Sequence, residues 1–152
     1  PEYRTTQADA RIYGFEVQGD VVLARPGAWT IKALAMADYV HATIDGVGPA
    51  PNIPPLRLKG SLSAGSPRFD IETEVERVTA QNRTGAFETA TPGYTMVNAS
   101  IAWRPWGRQR PLSLTLSANN LFDVEARRHA SLLKDYAPLS GRDIRLTVRL
   151  EI

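Results

Sequence analysis

The chain has no cysteine among its 152 residues, which excludes a disulfide framework and any thiolate metal site. It has no run approaching eighteen apolar residues, so no segment is suited to crossing a bilayer as a helix, whereas transmembrane strands need only short alternating stretches. Net charge is small, +2, with acidic and basic residues interspersed, and this leaves no electrostatic footprint for nucleic acid. Glycine-rich phosphate chemistry is also missing. The run "GVGPA" sits in a proline-rich loop rather than between a strand and a helix.

What the sequence does contain is alternation with a period of two. Leu112, Leu114, Leu116 and Ala118 share one face of a stretch whose other face carries Ser113, Thr115, Ser117 and Asn119. The end of the chain repeats the pattern, with Ile144, Leu146, Val148, Leu150 and Ile152 opposed by Arg145, Thr147, Arg149 and Glu151. Similar stretches predict strands over 10–23, 28–40, 56–64, 69–80 and 94–104, with no convincing helix. The second places Trp29 and Tyr39 near its two ends, where rings suit the two interfaces of a bilayer. The fourth sets Asp70, Glu72, Glu74 and Glu76 against Phe69, Ile71, Thr73 and Val75. Like charges along one face repel unless water or cations meet them, and Arg57 and Lys59 on the preceding strand are the candidate partners.

The connections alternate as well. Short turns at Arg25, at Gly65 and at Pro105 are interleaved with long polar segments over 41–55, 81–93 and 120–143. In an antiparallel meander this puts all short connections at one end and all long ones at the other, the asymmetry of outer-membrane barrels. The expected fold is therefore all-β: a seven-stranded antiparallel meander forming part of a transmembrane β-barrel. A soluble β-sandwich is the alternative, and it would need its apolar faces packed against each other.

No enzyme constellation emerges, because carboxylates two residues apart on a strand point along an open face instead of converging on a substrate. Metal binding has more support. His41 and His129 both fall at the long-loop end, and Glu125 and His129 would align if the segment around them formed a short helix, with Asp135 approaching from beyond it. Arg127 and Arg128 oppose a dication there.

The tail "SANNLFDVEARRHASLLKDYAPLSGRDIRLTVRLEI" resembles the carboxyl terminus of a TonB-dependent outer-membrane receptor. In that family an "NLFD"-type segment, here Asn120 to Asp123, ends the penultimate strand, and a "GR" pair, here Gly141 and Arg142, opens the last. The portion "RRHASLLKDYAPLSGR" is most similar to the branch that includes zinc-importing receptors. The resemblance implies a barrel of ~22 strands around a plug, of which this chain supplies the carboxyl-terminal part, with the plug and earlier strands missing. It implies outer-membrane lipid, those missing strands and plug, and TonB through the plug as partners. Zinc becomes a possible transported substrate, no cofactor is required, and no nucleic acid is involved. No signal-type segment stands at Pro1, so the chain is expected to be an excised or processed piece. A passive channel would keep the barrel and lose the plug and energy coupling.

Overall fold

The computed structural model describes residues 7–107 and 112–150. Its elements are β1 (Ala10–Ala24), β2 (Thr30–Ile44), β3 (Gly48–Pro49), β4 (Arg57–Gly65), β5 (Phe69–Val78), β6 (Tyr94–Trp103), β7 (Leu112–Asn119) and β8 (Asp143–Leu150). They form a single sheet in the order β1-β2-β4-β5-β6-β7-β8, with every neighbour antiparallel and the short β3 folded back onto β2. Seven long strands in sequence order make the expected meander. The differences lie at strand ends. β2 continues to Ile44 because His41 to Ile44 still find ladder partners in Ala10 to Tyr13, and β3 occupies part of the expected loop. Residues 151–152 of the final expected strand lie outside the described residues.

Register carries side-chain parity across the whole sheet. Val21, Ala33, Leu62, Thr73, Ala99, Ala118 and Ile144 are successive ladder partners on one face. The adjacent row runs Lys32, Ser63, Glu72, Ser100, Ser117 and Arg145. A slip of one residue in any pair would exchange the two faces, so the coincidence of apolar with apolar along this row, interrupted only at Thr73, fixes the alignment.

The apolar face is bare. Leu146 and Val148 are 64% and 60% exposed, and Leu62, Ile101 and Leu116 are exposed with them. Among the described residues no second sheet covers this face, as a sandwich would require. Aromatic rings frame it. At the short-turn end Trp29 stacks on Phe69 at 6.2 Å, and Phe69 is the ladder partner of Trp103. At the other end Tyr13 stacks on His41 at 4.8 Å and Phe15 lies 6.1 Å from Tyr39. From Trp29 to Tyr39 the strand rises about 33 Å, which at a tilt of ~40° is about 25 Å, the height of an outer-membrane apolar band.

Local chemistry sets the turns. Ser66 accepts the amide proton of Phe69 at 2.9 Å and so closes the β4–β5 turn, while Gly27 supplies the positive φ of 58° needed between β1 and β2. Gly14 permits a close approach: a Cβ there would lie 2.2 Å from the Tyr39 carbonyl oxygen. A register shift between Val22 and Ala24 makes a bulge at the short-turn rim, a site where barrels place them.

These faces predict a reciprocal accessibility pattern. Cysteine scanning in the membrane-embedded protein should find positions 114, 116, 146 and 148 shielded from a water-soluble thiol reagent and positions 72, 74, 98 and 115 labelled. Leu116→Arg should destabilise the fold by about 2–4 kcal/mol, the cost of a cation on the lipid face. Uniform labelling of both faces would exclude a membrane-embedded wall.

Candidate functional site

Several charges of the polar face are matched on the spot. Lys59 Nζ lies 3.0 Å from Glu74 Oε2, and Asn98 Nδ2 donates to the other Glu74 oxygen at 3.1 Å. Tyr94 donates its hydroxyl proton to Glu76 at 3.1 Å, and Arg104 pairs with Asp70. Arg57 does not join this ladder. Its direct ladder partner is Asp38, and its Nε donates to that carboxylate at 2.8 Å. Glu72 has no ion-pair partner among the described residues. With Glu74, Asn98, Ser100, Ser117 and Asn119 it lines a shallow, open concavity of about 220 Å³.

Above this wall the three long connections are tied together through one carboxylate. Glu88, in the β5–β6 loop, accepts the amide protons of Asn52 at 2.9 Å and Gly85 at 2.8 Å, and an ammonium proton of Lys134 at 2.9 Å. Asn52 belongs to the β2–β4 loop and Lys134 to the β7–β8 loop, so a single side chain links all three. His129 completes the group. Its Nδ1 lies 2.9 Å from Thr91 Oγ1 and 3.5 Å from Lys134 Nζ; because an ammonium can only donate, Nδ1 accepts and the neutral ring carries its proton on Nε2. That nitrogen lies 3.0 Å from Glu88 Oε1, outside hydrogen-bond alignment. The side chains of Glu88, Lys134 and His129 are only 6%, 6% and 1% exposed.

Secondary contacts reinforce the knot. Thr89 donates to Asp135 at 2.5 Å, Gln81 to the Ile53 carbonyl at 3.0 Å, and Arg83 to the Ala42 carbonyl at 2.7 Å. Phe87, beside Glu88, is held at a φ of +63°, an uncommon conformation for a bulky residue. At its base Val78, Tyr94 and Ala126 form a small apolar core with Met96, Val124 and Leu139.

The motif residues of the tail also acquire physical roles. Asn120 is buried in a left-handed conformation, φ 49°, and donates from its backbone to Asn98, and from Nδ2 to the carbonyls of Val124 and Ser140. Asp123 accepts the amide proton of Arg142 at 2.8 Å, and a Cβ at Gly141 would lie 3.0 Å from that carboxylate. "NLFD" and "GR" are thus the two halves of one clasp at the root of the longest loop.

The four residues expected to bind metal are dispersed. The segment 124–137 forms turns instead of a helix, so Glu125 and His129 do not share a helical face. Glu125 accepts from Arg127 at 2.8 Å, Asp135 from Thr89, and His129 sits against Glu88. His41 belongs to β2 and stacks on Tyr13 on the apolar face. Among the described residues no group of three or more His, Asp or Glu side chains is placed to hold a metal ion. The missed residue is Glu88, which stands in "GAFETA" with no periodic neighbour to single it out.

Electrostatics decides how the knot responds to pH. Burial alone would raise the Glu88 carboxyl, yet the donors Gly85, Lys134 and Asn52, with His129, bring it down to about 2 from an ordinary 4.5. Burial, and then the Lys134 charge, lowers His129 below its ordinary 6.5 against the opposing pull of Glu88 and Asp135. Both shifts have the same sign of linkage. When the loops open, each group binds protons more readily, so the knot is tightest above pH ~6.5 and loosens as pH falls. Limited proteolysis of the intact protein should show loops 45–56, 79–93 and 120–142 protected at pH 8, less so below ~6.5 and least below ~4.5. Glu88→Ala should open them at all pH values, at about 3–5 kcal/mol of local stability, because Lys134 is left buried without its counter-charge. Strands should stay folded throughout.

Comparison with known proteins accords with this geometry. The structure is similar to a solved chain titled "Copper transporter OprC", with a TM-score of 0.76 over 95% of this chain at 22% sequence identity, a likeness of fold. The chain spans 24% of that protein's length. Residues 1–121 match the family described as "TonB dependent receptor-like, beta-barrel". A match over that share of the chain, on a sheet with a bare apolar face, a polar face and long loops at one end, shows that this chain belongs to the TonB-dependent receptor β-barrel family of the outer membrane.

Proposed function

We propose that the chain forms the carboxyl-terminal part of the wall, with three outer loops, of a receptor that takes up a scarce metal or metal chelate by TonB-coupled transport. The observation that carries this reading is the built mouth: loops locked through Glu88 above a wall whose inward face is polar and charge-matched. Family membership supports the coupling to TonB, and the copper-transporter title of a structural neighbour supports a metal cargo. In this reading the plug and the earlier strands complete the receptor, since β1 and β8 lie at opposite ends of the sheet and lipid offers no hydrogen-bond partner for an open edge.

The finer form of the proposal is zinc as cargo, with His129 as a ligand helped by Glu125 or Asp135 and with His41 joining from β2; each would have to leave a present contact, His129 with Glu88, Glu125 with Arg127, Asp135 with Thr89 and His41 with Tyr13. Two measurements test these levels separately. In cells limited for zinc or copper, uptake of the labelled metal should require both the receptor and TonB, and flux that persists undiminished without TonB would make the protein a passive channel. Zinc titration of the purified intact receptor should give weaker binding in His129→Ala, with barrel assembly unaltered. Unchanged affinity in both His129→Ala and His41→Ala would take the histidines out of recognition and leave the loops to read a chelate.

A further inference from the structure

On the polar face, directly under the loop knot, lies a cavity of about 220 Å³ that the knot and the wall build jointly. Successive ladder positions bring Asp38, Arg57, Val78 and Tyr94 to one level across β2, β4, β5 and β6. Glu76 enters from one step below, and Arg128 and His129 close the outer end. Both signs of charge are present and neither dominates. Arg57 is held by Asp38 at 2.8 Å and Glu76 by the Tyr94 hydroxyl at 3.1 Å, while Arg128 has no ion-pair partner among the described residues. The Pro54 and Pro55 rings and Val78 supply apolar lining between the charged groups.

A balanced field of this kind discriminates by charge arrangement rather than by net charge. A bare dication meets two guanidinium groups, and a polycarboxylate chelate meets Asp38 and Glu76; each is opposed by half of the site. A group carrying both signs a few ångströms apart is opposed by neither, provided its carboxylate points to Arg128 and its ammonium to Glu76. The geometry points to a subsite for a zwitterionic, amino-acid-like terminus on the cargo, so that the receptor reads a chelate through its organic part. This rests on the uptake reading above and names the class of cargo within it. Arg128 supplies the free guanidinium for the carboxylate, while Asp38 holds Arg57 in place and Tyr94 orients Glu76. The size suits one such terminus and leaves the metal-binding portion outside the cavity, toward the mouth.

The test uses the intact receptor in detergent and, as probe, the zinc complex of bipyridylalanine, which binds metal through its bipyridine and leaves its α-ammonium and α-carboxylate free. The N-acetyl and methyl-ester derivatives of the same complex each remove one charge. Binding of the parent complex is expected to exceed that of each derivative by about tenfold or more, the loss of one charge-assisted hydrogen bond. Arg128→Gln should abolish the preference for the free acid over the ester, and Glu76→Gln the preference for the free amine over the amide, while both keep a side chain able to satisfy Tyr94 and neighbouring groups. Equal binding of all three complexes, tighter binding of zinc citrate than of the parent, or no binding of any of them would overturn the subsite. TonB-dependent metal uptake measured in cells with the same variants stands apart from these outcomes: uptake with indiscriminate binding sinks the subsite alone, and absence of coupled uptake sinks the reading beneath it.

Discussion

In hydrocarbon no water is present to accept an unpaired amide proton, so a wall that crosses a membrane by strands must pass its hydrogen bonds from strand to strand without a gap. That constraint is what makes parity in this chain cumulative. Once Val21 stands opposite Ala33 and Ala33 opposite Leu62, the faces of every later strand are fixed by the ladders, and each strand's own alternation must agree. The agreement holds as far as Ala118 and Ile144. Rows of opposite character, such as Lys32, Ser63, Glu72, Ser100, Ser117 and Arg145, are its necessary counterpart. Neither face makes sense in water alone: one exposes leucine and valine side by side, and the other needs hydration.

The same continuity explains where ion pairs are found. Asp70, Glu74 and Glu76 each meet a cation or a donor on the neighbouring strand or one residue beyond its end, because neighbouring strands bring residues of the same parity to the same side. Asp38 and Arg57 are direct ladder partners and so pair with each other before Arg57 can serve the acidic row. Half-exposed pairs of this kind contribute little to stability, at most about 1 kcal/mol each. Their effect is local: they balance the potential where they occur, while Lys32, Glu72 and Arg149 on the same face have no ion-pair partner among the described residues.

Legibility followed periodicity. Strand number, facing, the split between short and long connections and the aromatic ends were readable because each is written in a repeat of two or in proline and glycine clusters. The β2 extension through His41 to Ile44 was not, since "HATIDGVGPAPNIPP" has turn composition while its first residues are held by pairing with β1, a tertiary effect. The mouth was the least legible part. Imidazole chemistry marks His129 in the sequence, yet its environment is made by Glu88, Thr91 and Lys134, which lie up to 41 residues away in sequence and share no pattern with it. Spacing suggested Glu125 as its neighbour; a turn with Arg127 claims Glu125 instead. Loop geometry depends on closures between segments, and a single sequence carries no periodic signal for those.

The placement of the knot bears on how a mouth can be both firm and open. The loops that Glu88 joins belong to successive hairpins, between β2 and β4, β5 and β6, and β7 and β8, and so stand side by side along one arc of the rim. Bonds between adjacent loops stiffen that arc without spanning the opening, whereas bonds between loops on opposite sides would cap it. Burial of Glu88, Lys134 and His129 within the arc makes those bonds resistant to water and salt, because the charges are shielded from screening. A firm arc in turn keeps Arg128 and His129 at a fixed height over Asp38, Arg57 and Glu76. Recognition at the mouth then depends on residues drawn from a rigid wall and a braced rim, so little ordering entropy remains to be lost when a ligand arrives.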